Sequence, residues 1–275
     1  MAAKALIGMS GGVDSSVAAY LTRQAGYDCI GATMKLHIGD GSDGEDARAV
    51  AEKMGLPFYE FDFSQRFTEL VKDSFVKAYE QGLTPNPCIT CNRYLKFDAF
   101  LRQALSMGCE KIVTGHYARI CQNESGRFTL QKAADESKDQ TYFLYSLTQE
   151  QLSHTLFPLG GLTKQEAREI AEQQGFINAR KRDSQDICFV PDGDYLAFMK
   201  RHTGKTYPGG NFLDQAGKIV GRHNGAVGYT IGQRKGLGLA MGAPVYVCDK
   251  DMEANTVTVG PNDALFHRAD RKSVV

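Results

Sequence analysis

The chain has 275 residues, of which 42% are hydrophobic and 23% are charged, and its formal net charge is zero. This composition is typical of a folded globular protein and excludes extensive disorder, and no apolar run reaches the roughly 18 residues of a membrane span. The short apolar opening is also too brief for a signal peptide, so we expect a cytoplasmic protein.

Predicted strands and helices alternate through the first 115 residues. Strands are predicted at 5–9, 29–36, 57–63 and 111–114, and helices at 14–24, 45–54, 65–79 and 92–107. Such alternation produces a parallel sheet with helices on both faces. We therefore predict an α/β fold with a doubly wound parallel sheet.

The pattern changes after residue 116. Residues 116–121 and 127–132 predict a hairpin, and residues 141–154 and 163–174 predict helices. Beyond about residue 203 the chain becomes rich in glycine, with short apolar runs at 243–248 and 255–259. We expect a small β-rich second domain there.

Residues 10–16, Ser-Gly-Gly-Val-Asp-Ser-Ser, lie between the first predicted strand and the first predicted helix. Backbone N–H groups and the positive end of the helix dipole converge at such a turn, which favours an anion. We expect the hydroxyls of Ser10, Ser15 and Ser16 to add donors, and Asp14 either to help hold magnesium or to cap the helix. The Lys-Ser/Thr ending of the Walker loop is missing. The loop is therefore better suited to hold a pyrophosphate leaving group than to pass on a terminal phosphate; the plain alternative is a glycine-containing turn without a ligand.

Three of the seven cysteines occur in patterns that suggest chemistry. Cys88 and Cys91 lie in a proline-rich turn before a predicted helix, whose dipole is expected to lower the pKa of the Cys91 thiol. Cys188 follows the basic residues 180–182, which favour its thiolate as well. Sulfur transfer needs one thiol that carries a persulfide and a second that releases the sulfur by forming a disulfide.

The same three cysteines allow two other interpretations. They are suited to ligate a metal ion or an iron–sulfur cluster with one position open for sulfide, or they have no chemical role. The remaining cysteines lie in apolar or strand contexts and are expected to be packing residues; they are Cys29, Cys109, Cys121 and Cys248.

Six segments together closely resemble the tRNA-specific 2-thiouridylases. They are SGGVDSS, TPNPCITCN, TGHYAR, KDQTYFLY, DSQDICFV and GYTIGQRKGLG, in the order of that family. The first also resembles the pyrophosphatase-type loop of AMP-forming ligases. The resemblance implies a sheet of the PP-loop adenine-nucleotide α-hydrolase type in a catalytic domain over residues 1–202. It also implies a small β-rich central domain over 203–260 and the start of a C-terminal barrel at 261–275.

The resemblance implies an enzyme that makes 2-thiouridine at the wobble position of the tRNAs for Lys, Glu and Gln. ATP, with Mg²⁺, adenylates the oxygen on carbon 2 of the uracil, and pyrophosphate leaves. A persulfide on Cys188, loaded by a sulfur-donor or relay protein, delivers sulfur. Cys91 is the nucleophile that releases the sulfur and ends in a disulfide with Cys188. The family also implies a monomer or weak dimer without membrane contact.

Family positions carried onto this sequence define three groups of site residues. A base whose carbonyl is adenylated must leave the stack, so one group meets the flipped base. The nucleotide-binding positions are Gly8, Met9, Ser10, Gly11, Gly12, Val13, Asp14, Ser15, Met34 and Gly115. The target base meets Asn86, Pro87 and Cys88, and the tRNA meets His116, Lys138, Asp139 and Gln140.

The sequence departs from the family pattern in two ways. Cys88 stands where many members have an aspartate that acts as an acid or base, which favours the iron–sulfur alternative. The chain ends at Val275, whereas members usually continue into the C-terminal barrel, so we expect a shortened form or a fragment. Two other functions stay open. One is a PP-loop ligase for a small molecule, which would not need Cys91 and Cys188, and the other is a non-catalytic tRNA- or metal-binding protein.

Overall fold

The computed structural model describes residues 2–36, 42–181 and 187–266. The chain divides into two compact units. The sheet unit comprises residues 1–72 and 87–185, and the β-rich unit comprises residues 73–86 and 186–275. Within the described ranges, no helix is long and apolar enough to cross a bilayer.

Strands and helices alternate through the first part of the chain. In order they are β1 (Lys4–Gly8), α1 (Val13–Gln24), β2 (Asp28–Lys35), α2 (Ser42–Lys53), β3 (Phe58–Asp62), α3 (Ser64–Phe67), a π-helical turn (Thr68–Lys72), α4 (Asp73–Glu80), α5 (Pro87–Cys91), a π-helical segment (Asn92–Ala99), α6 (Phe100–Ser106) and β4 (Lys111–Val113). The predicted alternation is confirmed. One boundary is wrong, because the helix expected from residue 92 begins at Pro87, where a proline without an N–H suits the first helical position.

The rest of the sheet unit departs further from the prediction. It contains β5 (Arg119–Gln122), β6 (Phe128–Gln131), α7 (Gln149–Ser153), β7 (Thr155–Leu156) and α8 (Lys164–Gln173). β5 and β6 form the expected hairpin. A continuous helix over 141–154 is wrong: a 3₁₀ turn at Thr141–Phe143 comes first, and Thr148 then starts α7 through a capping box with Gln151. β7 escaped prediction because two residues carry no period-two pattern.

Five parallel strands form the central sheet, in the order β3-β2-β1-β4-β7. On β1, Ala5 and Ile7 pack into one apolar core and Leu6 into another, because successive side chains of a strand point to opposite faces. None of the three has any exposed surface, as expected for a strand covered on both faces. The predicted doubly wound parallel sheet is confirmed.

The β-rich unit contains one mixed sheet. Its elements after α4 are α9 (Tyr195–Thr203), β8 (Gly210–Leu213), β9 (Ile219–His223), β10 (Tyr246–Asp251) and β11 (Thr256–Gly260). The strand order is β10-β11-β8-β9, with β8 and β11 parallel. The short runs predicted near 243–248 and 255–259 are strands shifted by one to three residues, whereas α9, β8 and β9 were not predicted.

Candidate functional site

The predicted phosphate loop, residues 10–16, follows the central strand of the sheet. β1 ends at Gly8 and α1 begins at Val13. From β1 the sheet extends to β2 and β3 on one side and to β4 and β7 on the other. Ligands of open α/β sheets bind beyond the carboxyl ends of the strands at such a switch point. The loop therefore lies where this architecture places a ligand.

Gly115, two residues after β4, packs against the start of α1. A Cβ added to Gly115 would lie 2.7 Å from the carbonyl carbon of Asp14 and 2.8 Å from the amide nitrogen of Ser15. Both are backbone atoms of a helix turn, so neither can yield as a flexible side chain would. The close approach of the two segments requires glycine here.

The hydroxyls of the loop serve mainly to shape it. Ser15 and Ser16 are buried, and each donates to the carbonyl of Gly12, at 3.0 and 3.1 Å. The backbone N–H of Ser10 donates to the hydroxyl of Ser15 at 3.1 Å. Ser15 and Ser16 thus direct their hydroxyls inward, whereas Ser10 is exposed, and contact of these serines with an anion stays a prediction.

Asn178, which the sequence did not single out, supports the same loop from the far end of the sheet unit. Its amide donates to the carbonyl of Gly11 at 3.1 Å and to the hydroxyl of Ser16 at 2.9 Å, and its side chain is buried. Gly11 itself has a left-handed backbone with φ of 72°, which suits glycine. The loop conformation is thus held by a residue more than 160 positions away in the chain.

Asp14 does not cap α1, because Gly12 occupies the N-cap position and no side chain bonds there. The Asp14 carboxylate instead accepts the Lys164 ammonium at 2.7 and 2.8 Å and the Tyr117 hydroxyl at 2.9 Å. The helix-capping alternative for Asp14 is therefore wrong. Tyr117 belongs to the TGHYAR segment, but nothing in its pattern indicated this partner. Lys164 begins α8, and the sequence did not single it out.

The remaining predicted nucleotide-binding positions offer mainly backbone groups. Met9 and Val13 have almost no exposed surface. Met34 lies near the end of β2, beside the central strand, and is partly buried. These residues can shape the ligand pocket, whereas polar contact from them must come from peptide groups.

His116 is a buried residue. Its Nδ1 lies 2.7 Å from the Thr114 hydroxyl, and its ring packs against Phe97 and Phe157 with centroids 5.7 and 5.8 Å away. Burial, and secondarily the charge of Lys96, holds the pKa of His116 well below its usual value of 6.5. The imidazole is therefore neutral in the folded protein at neutral pH.

The buried neutral state of His116 predicts a pH dependence of stability. Because the unfolded histidine titrates near 6.5 and the folded one lower, the unfolded chain binds the extra proton first, and stability is lost as pH falls below about 6.5. We expect His116→Gln to flatten the fall in unfolding free energy between pH 7.5 and 5.5, which urea titration measures. His154→Gln, at a partly exposed histidine, is the control; an unchanged slope in His116→Gln would contradict the assignment.

The segment predicted to contact tRNA at 138–140 is tied back to the sheet unit. The Asp139 carboxylate accepts the N–H of Ala133 at 2.9 Å and bonds the hydroxyl of Thr141. The side chain and backbone of Gln140 both bond the backbone of Tyr117, at 3.0 and 2.9 Å. The side chain of Lys138 is exposed.

The cysteines of α5 differ in exposure. Cys88 is exposed, while Cys91 is 8% exposed and lies at the end of α5 rather than at a helix N-terminus. Burial raises the pKa of the Cys91 thiol. The charge of Lys96 opposes this with a smaller effect, and the nearby Cys88 adds a further small increase. The expected lowering of the Cys91 pKa is therefore wrong, because the thiol is buried and the helix begins at Pro87, five residues earlier than predicted.

The other members of the predicted site lie in the β-rich unit. Asn86 is exposed at the end of its first segment, just before Pro87 of the sheet unit. Cys188 is exposed, and the next residue, Phe189, packs edge-on against Phe75 with ring centroids 5.2 Å apart. Residues 182–186 lie outside the described residues. The approach of Cys91 and Cys188 stays a prediction.

Exposure predicts an order of thiol reactivity. Alkylation requires an accessible thiolate, so we expect iodoacetamide to label Cys88 and Cys188 in the native chain well before Cys91. Burial raises the pKa of the Cys29 thiol to about 11, so Cys29 should be among the cysteines that react most slowly. Peptide mass spectrometry over a time course measures the order, and labelling of Cys91 as fast as Cys88 would contradict it. Unfolding in urea, which should equalise the rates, is the control.

The iron–sulfur alternative requires a group of side chains that could bind a metal ion or cluster. Among residues 2–36, 42–181 and 187–266, no group of three or more His, Cys, Asp or Glu side chains is arranged to hold a metal ion. Cys88 and Cys91 lie in the sheet unit and Cys188 lies in the β-rich unit, so the iron–sulfur alternative stays a prediction.

Comparisons with known proteins cover almost the whole chain. Residues 3–192 match the family described as the tRNA methyl transferase HUP domain, and residues 196–261 match the tRNA methyl transferase PRC-barrel domain. The chain is 50% identical to the tRNA-specific 2-thiouridylases MnmA of Lachnoclostridium phytofermentans and Clostridioides difficile, over 96% of its own length and 77% of theirs. It is also 50% identical to that of Treponema denticola, over 96% of its length and 75% of the relative.

Solved structures of lower similarity also align. NMN synthetase from Francisella tularensis is 17% identical, with a TM-score of 0.45, over 75% of this chain and 79% of that chain. An NH₃-dependent NAD synthetase from Campylobacter jejuni is 15% identical, with a TM-score of 0.41, over 74% of this chain and 76% of that chain.

Proposed function

Because the chain belongs to the family of tRNA-specific 2-thiouridylases, we propose that it uses ATP to replace the 2-oxygen of a tRNA wobble uridine with sulfur. The single observation that carries the proposal is the phosphate loop at the switch point of the sheet, closed by Gly115. A loop of this kind holds an anion by backbone N–H groups and a helix dipole. It lacks the lysine by which Walker loops contact the terminal phosphate.

The first half of the reaction activates the uracil. The oxygen on carbon 2 attacks the α-phosphorus of ATP, a bond to the β-phosphate oxygen breaks, and pyrophosphate leaves. The backbone around Gly11 and Gly12 would hold the departing charge, while the bonds from Asn178 keep that backbone in place. Preorganised donors of this type stabilise charge without reorganising during the reaction.

The second half moves sulfur. The terminal sulfur of a persulfide on Cys188 attacks carbon 2, and AMP leaves with the former uracil oxygen. The Cys91 thiolate then attacks the sulfur of Cys188, the sulfur–sulfur bond breaks toward the base, and 2-thiouridine and a Cys91–Cys188 disulfide result. A thiol reductant restores the cysteines, and a sulfur-donor protein supplies the next persulfide. Since Cys91 is buried with a raised pKa, tRNA binding must uncover it.

The proposed tRNA contacts draw uneven support from the structure. The exposed Cys88 and Lys138 suit contacts to a base and to a phosphate, respectively. The side chains of Asp139 and Gln140 already have partners, so we propose that they shape the binding segment. His116, buried beside Phe97, is proposed to act in the same indirect way.

We propose that ATP binds at the loop and that Asp14 supplies one ligand to the accompanying Mg²⁺. A carboxylate has about four acceptor positions, and three are taken by Lys164 and Tyr117. Mg²⁺ takes one or two carboxylates and completes its shell with phosphate oxygens and water, and when bound it would neutralise phosphate charge. No step is derived through an iron–sulfur cluster.

The test is a thiolation assay with the purified chain, ATP, a persulfide source and tRNA that carries a wobble uridine. We expect one AMP and one pyrophosphate for each 2-thiouridine, detected by nucleoside mass spectrometry. The matched control is the same tRNA with cytidine at the wobble position. Pyrophosphate release that does not need tRNA would favour a small-molecule ligase, and the absence of release with every tRNA would overturn the proposal.

A further inference from the structure

Lys164 is far from the phosphate loop in sequence, but its ammonium group lies beside the loop. Lys164 is the first residue of α8, yet its ammonium lies 2.7 and 2.8 Å from the two carboxylate oxygens of Asp14, the second residue of α1. The Lys164 side chain is only 12% exposed. The ammonium also lies 5.8 Å from the centre of the Tyr117 ring, whose hydroxyl bonds the same carboxylate.

The backbone beneath this ammonium is held firmly. Thr163 and Glu166 form a capping box that starts α8, with hydrogen bonds of 2.7 to 3.2 Å. The N–H of Lys164 donates to the Asp135 carboxylate at 3.0 Å. The four-carbon side chain above this fixed base can rotate, and its three N–H donors form a compact charge suited to phosphate.

Placing the Lys164 ammonium in a largely buried position costs free energy. Withdrawing an ammonium from water costs free energy that its attraction to a carboxylate often fails to offset, and the Lys164 side chain is largely withdrawn while Asp14 is about one-third exposed. At this site the pair stands beside the anion-binding start of α1, and the loop lacks the lysine that Walker loops place on their phosphates. Lys164 supplies such a charge from outside the loop.

We propose that Lys164 is the phosphate-contacting lysine of this loop, directed at the pyrophosphate part of ATP, with Asp14 and Tyr117 as the residues that position it. The inference rests on the proposed ATP chemistry and deepens it. On binding, the ammonium keeps one carboxylate contact and turns its other N–H groups to the phosphate oxygens. AMP, which lacks the β- and γ-phosphates, does not reach it.

Equilibrium binding of three probes to the full chain tests the proposal without tRNA or cysteine chemistry. We expect Lys164→Ala to weaken inorganic pyrophosphate and ATP by roughly 10- to 100-fold, the range of a charge-assisted hydrogen bond, and to leave AMP unchanged. The matched control is Lys111→Ala, which removes a lysine from the amino end of β4, whereas the loop follows the carboxyl end of the neighbouring strand β1. Isothermal titration calorimetry gives all three affinities.

Two further variants separate positioning from folding. Lys164→Ala leaves Asp14 without its cation, so the double variant Lys164→Met, Asp14→Asn removes both charges and should fold while still binding pyrophosphate weakly. Tyr117→Phe keeps the lysine and should weaken pyrophosphate only a few-fold. Wild-type affinity for pyrophosphate in the double variant, or an equal loss for AMP, would overturn the inference. A wild-type chain that binds neither ATP nor pyrophosphate would instead overturn the proposed function.

Discussion

Replacing Gly115 by alanine is expected to reduce the rate of ATP-dependent thiolation by on the order of 100-fold or more, the cost of misplacing reacting groups by about 1 Å. The added methyl group would lie 2.7 Å from the carbonyl carbon of Asp14 and 2.8 Å from the nitrogen of Ser15. The start of α1 must then move away from β4. That movement displaces the N–H groups that hold the pyrophosphate, so ATP affinity and rate should fall together.

A pair of glycines provides the controls for Gly115→Ala. Gly161→Ala adds a methyl group that meets nothing within 4 Å, so it should leave activity unchanged. Gly160→Ala would place its methyl group 2.0 Å from the carbonyl oxygen of Ala118, so it should lower the unfolding free energy whatever its effect on ATP. If Gly115→Ala bound ATP like the native chain, the loop would not be the nucleotide site.

The fold was predictable where local pattern and tertiary structure agree. β1 and α1 are confirmed because a short apolar run, a glycine turn and a helical repeat each indicate the same arrangement. β7 has two residues, and its place at the sheet edge depends on pairing with Ile112 and Val113, which no local pattern records. The boundary of α5 was missed because Pro87 looked like part of a turn, although proline also suits a first helical position.

The site was predictable in its motif and unpredictable in its partners. The loop at residues 10–16 could be found because its glycines and its strand–helix context are local. Its supports, Lys164 and Asn178, reach it from 150 and more positions away, and a single sequence carries no signal for such pairs. The pKa of Cys91 was mispredicted for a related reason, since burial depends on tertiary packing and outweighs a helix dipole.

Serine at either Cys91 or Cys188 is expected to lower the thiolation rate by roughly 1,000-fold or more, and serine at both should cost little beyond either alone. Residues that act as one catalytic unit lose their effect together, so their substitutions are strongly non-additive. The matched control is Cys121→Ser, at a partly buried thiol of β5, which should retain native activity. Single-turnover assays with mass spectrometry of the nucleoside measure all four proteins.

The two single variants should stop at different points, which identifies the role of each thiol. Without Cys91, the persulfide sulfur of Cys188 can still bond carbon 2 of the base, but no second thiol releases it. A protein–tRNA adduct should therefore accumulate, and added thiol should cleave its disulfide bond. Without Cys188 no persulfide forms, and no adduct should appear although ATP still binds. An adduct in Cys188→Ser and none in Cys91→Ser would reverse the roles. Full thiolation activity in both would exclude the proposed cysteine chemistry.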